Sequence, residues 1–372
     1  MNVPFLDLNQ QMAGIRHEVD LAVGEVLTNS SYILGTQVTA FEEAFAAYCG
    51  VTHCIGVGSG LDALILSLRA LGIGQGDEVI LPANTFIASA LAITQAGATP
   101  VLIDSSNEDF LMDLDQVEKS ITAKTRAIMP VHLYGRLADM KRLAEIAAKH
   151  NVHIVEDAAQ AHGSEADGRR AGSFGIAGCF SFYPGKNLGA AGDAGAITTN
   201  NSELADRIRK LRNYGSTIKY QHDMPGVNSR LDSIQAAVLS VKLKYLDAWN
   251  SARRERAIWY EEALRSLDLK TPRLHEAAEH VWHLYVVRGS HRDDLIQHLN
   301  EHGVMTQIHY PKPLHLQDCY MGTLGNTGDF PVAEAQAAEI LSLPLYPELT
   351  QGMLNHVAKV LAEFSIDRKS AE

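Results

Sequence analysis

Short apolar runs alternate with helical patterns from about residue 50 to residue 200, and this alternation restricts the fold more than any other feature. The runs that indicate strands are HCIGVGS (53–59), DEVILPA (77–83), TPVLIDS (99–105), RAIMPVHLYG (126–135) and VHIVEDAA (152–159). Strands separated by helices of this length predict right-handed crossovers and a mostly parallel sheet. Because ligands of such sheets bind beyond the carboxyl ends of the strands, the alternation also predicts where a site lies.

The pattern changes after residue 200. A helical pattern with little interruption runs from about Leu231 to Leu267. It is followed by the predicted strand WHLYVVRG, a helix, the predicted strand VMTQIHY and two further helices. We therefore predict an α/β protein with a large domain over 1–245 and a smaller C-terminal α/β domain over 246–372, divided inside one long helix.

Composition excludes several classes of function. The net charge of −12 argues against a nucleic-acid or anionic-membrane surface. The four cysteines form no C-x-x-C pair, which predicts no metal cluster and indicates reduced thiols in a cytoplasmic protein. The N-terminal residues lack a signal-peptide pattern, and no apolar run approaches the roughly 18 residues of a membrane span.

The glycine-rich segment GVGSGLDAL (56–64) lies between a predicted strand and a predicted helix. Glycines there allow the backbone to approach an anion, and the helix N-terminus presents free N–H groups to it. A dinucleotide fingerprint fits less well, because the spacing is G-x-G-x-G and the next acidic pair, Asp77-Glu78, begins a strand. Taken alone, the segment is compatible with anion binding or with tight strand–helix packing.

Two further segments carry reactive side chains at predicted strand ends. The run VHIVEDAAQAHG places Glu156 and Asp157 at the end of a buried strand, where a carboxylate can pair with a ligand cation, cap a turn or, less readily, bind a metal. The run FSFYPGKNLGAAGDAGA places Lys186 between an apolar strand and small residues. Burial can lower a lysine pKa by up to about 3–5 units and so provide the neutral amine of a nucleophile, whereas an isolated lysine is more often exposed on a loop.

Together these three segments fit pyridoxal 5′-phosphate. The glycine-rich turn would bind the phosphate, Asp157 would pair with the pyridine nitrogen, and Lys186 would bond to the cofactor carbonyl carbon. Phe86, in PANTFIASA, could stack on the ring, and Gln160 could hydrogen-bond the ring hydroxyl.

The sequence resembles the fold-type-I, pyridoxal-phosphate-dependent sugar aminotransferases of the DegT/DnrJ/EryC1/StrS family. The resemblance extends over nearly the whole chain and rests on GSGLDAL, PANTFIASA, PVHLYGRLADM, EDAAQAHGS, FSFYPGKNLGAAGDAGA and GVNSRLDSIQAAVL. It implies a large domain with a mostly parallel sheet, a small C-terminal domain, and these cofactor-binding residues: Ser59, Gly60, Leu61, Phe86, Asp157, Gln160, Ser181, Lys186 and Asn228. Many members have threonine at the position of Leu61, so one hydroxyl contact is absent here.

The resemblance also implies a homodimer in which Asn228 reaches the cofactor of the neighbouring subunit. The version FYPGKNLGAAGDAGA is most similar to members that transfer an amino group from L-glutamate to C3 of a dTDP-linked 3-keto-6-deoxyhexose, for O-antigen, glycoprotein or antibiotic synthesis. In that subgroup the counterparts of Tyr183, Lys219, His309 and Tyr310 lie near the nucleotide sugar. The alternatives are a C4 aminotransferase, a non-catalytic cofactor-binding regulator, a dehydratase in which histidine replaces the lysine, and a nicotinamide-dependent oxidoreductase.

Overall fold

The computed structural model describes residues 1–272 and 279–371, with side chains described through residue 365. The helices are α1 Leu8–Asn29, α2 Thr36–Cys49, α3 Gly60–Ala70, α4 Ile87–Ala96, α5 Leu114–Ser120, α6 Met140–His150, α7 Ser202–Leu211, α8 Ser233–Leu243, α9 Leu246–Leu264, α10 Arg292–Glu301, α11 Pro331–Glu339 and α12 Gln351–Ala371. The strands are β1 His53–Val57, β2 Glu78–Pro82, β3 Thr99–Ile103, β4 Thr125–Ile128, β5 His153–Asp157, β6 Glu165–Ala166, β7 Arg169–Arg170, β8 Ala177–Ser181, β9 Gly195–Thr199, β10 Tyr285–Arg288 and β11 Ile340–Leu343.

A seven-stranded sheet in the order β1-β9-β8-β5-β4-β2-β3 forms the centre of the first part of the chain. Neighbouring strands from β3 to β8 run parallel, whereas β9 is antiparallel to both β8 and β1. Helices cover both faces, so the strands are buried and rich in apolar residues. The predicted mostly parallel α/β sheet is confirmed, and the carboxyl ends of β1, β2, β4, β5 and β8 share one edge.

The remaining part of the chain forms a smaller layer. Strands β10 and β11 pair antiparallel, and their apolar residues pack with those of α9, α10 and α12. The predicted strand at 304–310 is wrong, because Val304 and Gln307 make only isolated bridges, to Val3 and to Ser342. Strand β11 was missed because its four residues follow directly on α11, whose helical pattern they extend in sequence.

The expectation of one long helix is also wrong. Helix α8 ends at Leu243 and α9 begins at Leu246. Between them the Tyr245 amide donates to the carbonyl of Lys242, as in a tight turn, and the Tyr245 hydroxyl donates to Glu18 of α1. The break falls beside the predicted boundary at residue 245, which stays a prediction.

No helix among the described residues is both long enough and apolar enough to cross a membrane.

Candidate active site

The turn from β1 into α3 gives the N-terminus of α3 the geometry that anion sites use. The Ser59 hydroxyl caps the helix by accepting from the Asp62 amide at 3.1 Å, and it donates to the Asp62 carboxylate at 3.0 Å. The amides of Gly60 and Leu61 are left without a protein acceptor within the described ranges. A Cβ on Gly60 would lie 2.6 Å from the Cβ of Ser181, so glycine is needed where this turn meets the end of β8.

The adjacent carboxylates Glu156 and Asp157 point to opposite faces of the sheet. Asp157 is 6% exposed; it accepts from the Ser89 hydroxyl at 2.7 Å and from the Ala159 amide at 3.2 Å. Burial raises its pKa, and these two hydrogen bonds and the Lys186 charge oppose that rise. Asp157 therefore lies at the sheet edge where the sequence predicted a carboxylate for a ligand cation.

Lys186 follows β8 in a tight turn. Its amide donates to the Tyr183 carbonyl at 2.8 Å, and a Cβ on Gly189 would lie 2.2 Å from the Pro184 oxygen, so small residues are required there. The lysine side chain is half-buried, and its Nζ has no hydrogen-bond partner within the described part of the chain. Burial lowers the pKa of Lys186 to about 8, against the opposing attraction of Asp157.

Three histidines surround Lys186. Burial lowers the pKa of His162 to about 3, that of His309 to about 4 and that of His283 well below its ordinary value, and the Lys186 charge adds to each shift. All three rings are therefore neutral at pH 7. The sequence analysis missed His162 and His283, although His162 lies in the quoted run EDAAQAHG.

Asn187 ties the lysine turn to the smaller layer. Its amide nitrogen donates to Asn250 of α9 and to the Val281 carbonyl, both at 2.9 Å, and its oxygen lies 3.1 Å from His283 Nδ1. The Val281 carbonyl can only accept, so the nitrogen of the Asn187 amide faces it and the oxygen faces His283. It follows that His283 carries its proton on Nδ1.

Four other predicted site residues form a second cluster beside Asp157: Phe86, Gln160, His309 and Tyr310. Phe86, at the N-cap of α4, has its ring centroid 5.2 Å from that of Tyr310. Gln160 donates to the Tyr310 hydroxyl at 3.1 Å and accepts from the Tyr134 amide at 2.6 Å. One N–H of Gln160 remains available, which is compatible with its predicted bond to a ring hydroxyl. His309 Nδ1 lies 2.8 Å from the Ser342 hydroxyl.

Three predicted residues are exposed at the mouth of the site or away from it. Tyr183 is 60% exposed. Lys219 and Asn228 lie on the segment 213–230, where the Lys219 Nζ lies 5.1 Å from the Tyr220 ring centroid and Asn228 bridges to Asn213. Within one chain, no described hydrogen bond joins Lys219 or Asn228 to Lys186 or to the three histidines near it.

The side chains present fit pyridoxal phosphate. Helix-terminal amides suit its phosphate, a buried carboxylate with unused acceptor capacity suits a pyridinium nitrogen, and a lysine amine whose pKa is lowered to about 8 suits its aldehyde. The described residues contain no group of three or more histidine, cysteine or carboxylate side chains arranged to hold a metal ion. The fold is that of the fold-type-I transferases, and Lys186 lies where a lysine nucleophile is expected.

Comparison with known proteins gives the particular family. The model of the DegT/DnrJ/EryC1/StrS aminotransferase family matches residues 14–362, and the chain belongs to this family. It is 48% identical to the dTDP-3-amino-3,4,6-trideoxy-alpha-D-glucose transaminase of Streptomyces venezuelae, over 98% of this chain and 96% of that protein. The crystal structure of S. venezuelae DesV in complex with a ketimine intermediate matches with a TM-score of 0.96 and 48% identity, over 98% of both chains. NtdA of Bacillus subtilis, solved with bound cofactor PMP, matches with a TM-score of 0.90 and 32% identity, over 97% of this chain and 85% of that one.

The predicted family, fold type and aminotransferase class are confirmed, and PMP, the aminated form of the predicted cofactor, is bound in a solved relative.

Proposed function

We propose that this aminotransferase binds pyridoxal 5′-phosphate through Lys186 and transfers the amino group of L-glutamate to C3 of a dTDP-linked 3-keto-6-deoxyhexose, giving a dTDP-3-amino-3,6-dideoxyhexose. The observation that carries the proposal is the pairing of a half-buried lysine, with its pKa lowered to about 8, and a buried carboxylate at the same sheet edge. The substrate is supported by the printed activity of the S. venezuelae relative at 48% identity.

Each residue of the site has a defined task in this reaction. The bound cofactor supplies an electron sink for cleavage of the bond at the amino-bearing carbon. Lys186 Nζ, neutral in an appreciable fraction of molecules near pH 8, takes a proton from the α-carbon of glutamate and later delivers one on the sugar side. Asp157 holds the positive charge of the ring nitrogen.

The neutral histidines have a role in this scheme as well. A protonated imidazole beside Lys186 would compete for Asp157 and would leave the site with two adjacent cations. Because His162, His283 and His309 are neutral, Asp157 remains the carboxylate available to a cationic ring nitrogen.

The test uses the aminated enzyme. The holoenzyme is treated with L-glutamate and freed of 2-oxoglutarate, and dTDP-3-keto- and dTDP-4-keto-6-deoxyglucose are then added separately. Return of the lysine-linked cofactor absorbance with the 3-keto sugar alone, with an amino sugar detected by mass spectrometry, supports the proposal. Return with the 4-keto sugar alone indicates C4 transfer, and no return with either, or no 2-oxoglutarate from glutamate, points to another substrate or to a regulator. Lys186→Ala is the matched control and must show no turnover.

We further propose that two chains share each site, with Asn228 and Lys219 supplied by the partner. Support comes from the exposed aromatic and apolar side chains around the site mouth and the 213–230 segment: Phe86, Tyr183, Tyr214, Ile218 and Tyr220, each 48% exposed or more. Mixing Lys186→Ala chains with Asn228→Ala chains should restore about a quarter of wild-type activity, because half of the dimers then hold one intact site. No recovery on mixing would show that Asn228 serves its own chain.

We place the enzyme in the cytoplasm. Cys49, Cys54 and Cys179 are buried free thiols, as expected of a protein in a reducing compartment. Thiol counting after rapid alkylation of cell extracts tests this, and any disulfide among the three would contradict it.

A further inference from the structure

Tyr134 contacts both parts of the site and closes a ring of hydrogen bonds. Its amide donates to Gln160 Oε1 at 2.6 Å, and its hydroxyl donates to the carbonyl oxygen of His309. Gln160 Nε2 in turn donates to the Tyr310 hydroxyl at 3.1 Å. The ring therefore joins Gln160, from the loop after β5, to the 309–310 turn of the smaller layer.

The direction of every bond in this ring is fixed. The Tyr134 amide can only donate, so Oε1 of Gln160 faces it and Nε2 faces Tyr310. The Tyr310 oxygen therefore accepts, which leaves its own O–H free to donate. One N–H of Gln160 is free as well. Among the described residues the Tyr310 O–H has no acceptor, which suits a ligand with acceptor oxygens, such as the keto and hydroxyl oxygens of a hexose, while the remaining Gln160 N–H is compatible with the ring hydroxyl of the cofactor.

The backbone of Tyr134 is held in an unfavourable conformation. Its φ of 59° and ψ of 8° lie in the left-handed region, which is uncommon for a bulky side chain. Gly135 follows at φ 97°. A Cβ there would lie 2.9 Å from the backbone nitrogen of His283 and 3.0 Å from the backbone carbonyl oxygen of Gln160. Such a conformation persists only where the surroundings enforce it, and these positions cluster at functional sites.

The His309 side chain binds the 309–310 turn to the smaller layer. His309 lies against Phe5, with ring centroids 5.8 Å apart, and its Nδ1 lies 2.8 Å from Ser342 of β11. These contacts fix the turn to the smaller layer, and the hydrogen bonds from the Tyr134 hydroxyl and the Gln160 amide join it, together with the Phe86–Tyr310 ring contact, to the large sheet.

We propose that Tyr134 is a positioning residue that holds the 309–310 turn at a set distance from Gln160 and thereby determines the affinity for the sugar substrate. The identity of that substrate rests on the proposed function. Tyr134 itself need not touch the sugar, because it acts through Tyr310 and His309.

The test removes only the hydroxyl. Tyr134→Phe keeps the amide bond to Gln160 and the edge contact with Phe110, whose ring centroid lies 5.3 Å away. We expect KM for the keto sugar to rise about three- to tenfold, the effect of one lost net hydrogen bond, with kcat within about twofold and the cofactor absorbance unchanged. Tyr260→Phe is the matched control, since the buried Tyr260 hydroxyl donates to the Pro344 carbonyl at 3.0 Å inside the smaller layer. A wild-type KM in Tyr134→Phe, or an equal rise in both variants, would overturn the proposal.

A second measurement separates this proposal from that of the substrate. If the wild-type enzyme accepts neither dTDP sugar, the substrate proposal fails, but crystal structures of wild-type and Tyr134→Phe holoenzymes still report on the turn. We expect residues 309–310 to be displaced or split between two positions in the variant. An unchanged turn would refute the positioning role whatever the substrate is.

Discussion

Replacing Asn187 with alanine should detach the lysine turn from the smaller layer. The Asn187 side chain is 2% exposed and makes three hydrogen bonds, to Asn250, Val281 and His283. It follows directly after Lys186, so any movement of its backbone moves Lys186, the proposed catalytic residue. The loss of these three hydrogen bonds should therefore lower both the stability of the protein and its rate of catalysis.

The size of the effect follows from the groups left behind. In Asn187→Ala the Val281 carbonyl, the Asn250 amide oxygen and His283 Nδ1 lose their partner. A buried polar group without a partner costs about 1–3 kcal/mol. His283 is only half-buried and water can enter the vacated space, so we expect a total loss of about 2–4 kcal/mol in the free energy of unfolding, near the upper end for single substitutions.

The assay is urea unfolding of the purified holoenzyme, followed by circular dichroism, together with the rate at which L-glutamate changes the cofactor absorbance. Asn355→Ala is the control, because Asn355 is exposed on α12 and its side-chain oxygen accepts a hydrogen bond from Gln351 of the same helix at 3.0 Å. That control should stay within about 0.5 kcal/mol of wild type. If Asn187→Ala matches the control in unfolding free energy and in the rate of its reaction with L-glutamate, the hydrogen bonds of Asn187 are not what holds Lys186 in place.

Further predictions concern the cofactor cradle and the charges of the site. Gly60→Ala should lower cofactor retention on dialysis, because its Cβ would lie 2.6 Å from that of Ser181; retention equal to wild type would contradict the close approach. In the cofactor-free protein, Lys186→Met should be more stable than wild type at pH 7, by less than about 3 kcal/mol because the amine is half-buried. This difference in unfolding free energy should disappear as pH rises from about 8 to 10.5, because in that range the unfolded wild type binds a proton at Lys186 that the folded wild type has lost. A difference independent of pH would show that the pKa of Lys186 is not lowered. Glu156→Gln should lower the unfolding free energy by about 2–4 kcal/mol. Asp157→Asn should abolish turnover with little loss of stability. Loss of turnover in Glu156→Gln combined with loss of stability in Asp157→Asn would refute the assignment of Asp157 to the cofactor and of Glu156 to the fold.

The sequence was sufficient for the parts of the fold that depend on local patterns. Strand and helix alternation located the parallel sheet, and the same pattern placed Asp157 and Lys186 at the ends of strands β5 and β8. Strand β9 was missed because GAITT owes its burial to its neighbours in the sheet and not to an apolar pattern. The Asn187–His283 contact was out of reach for a different reason: 96 positions separate the two residues, and an asparagine after a lysine carries no signal of a distant partner.

The structure gives a physical reason for the choice of Asp157, and not Glu156, as the carboxylate that the sequence analysis paired with a ligand cation. Glu156 and Asp157 end the same strand, and either could have been the ligand for a cation. An ionised carboxylate has about four acceptor positions. Glu156 fills all of its positions with four donors, namely His132 and the backbone amides of Gly172, Phe174 and Gly175. Among the described residues, Asp157 accepts from the Ser89 hydroxyl and the Ala159 amide alone, so about half of its acceptor capacity stays open on the face that also holds Lys186. The unused acceptor capacity, and not the residue type or its place at the strand end, is what favours Asp157 over Glu156 in the proposed pairing with a cationic ring.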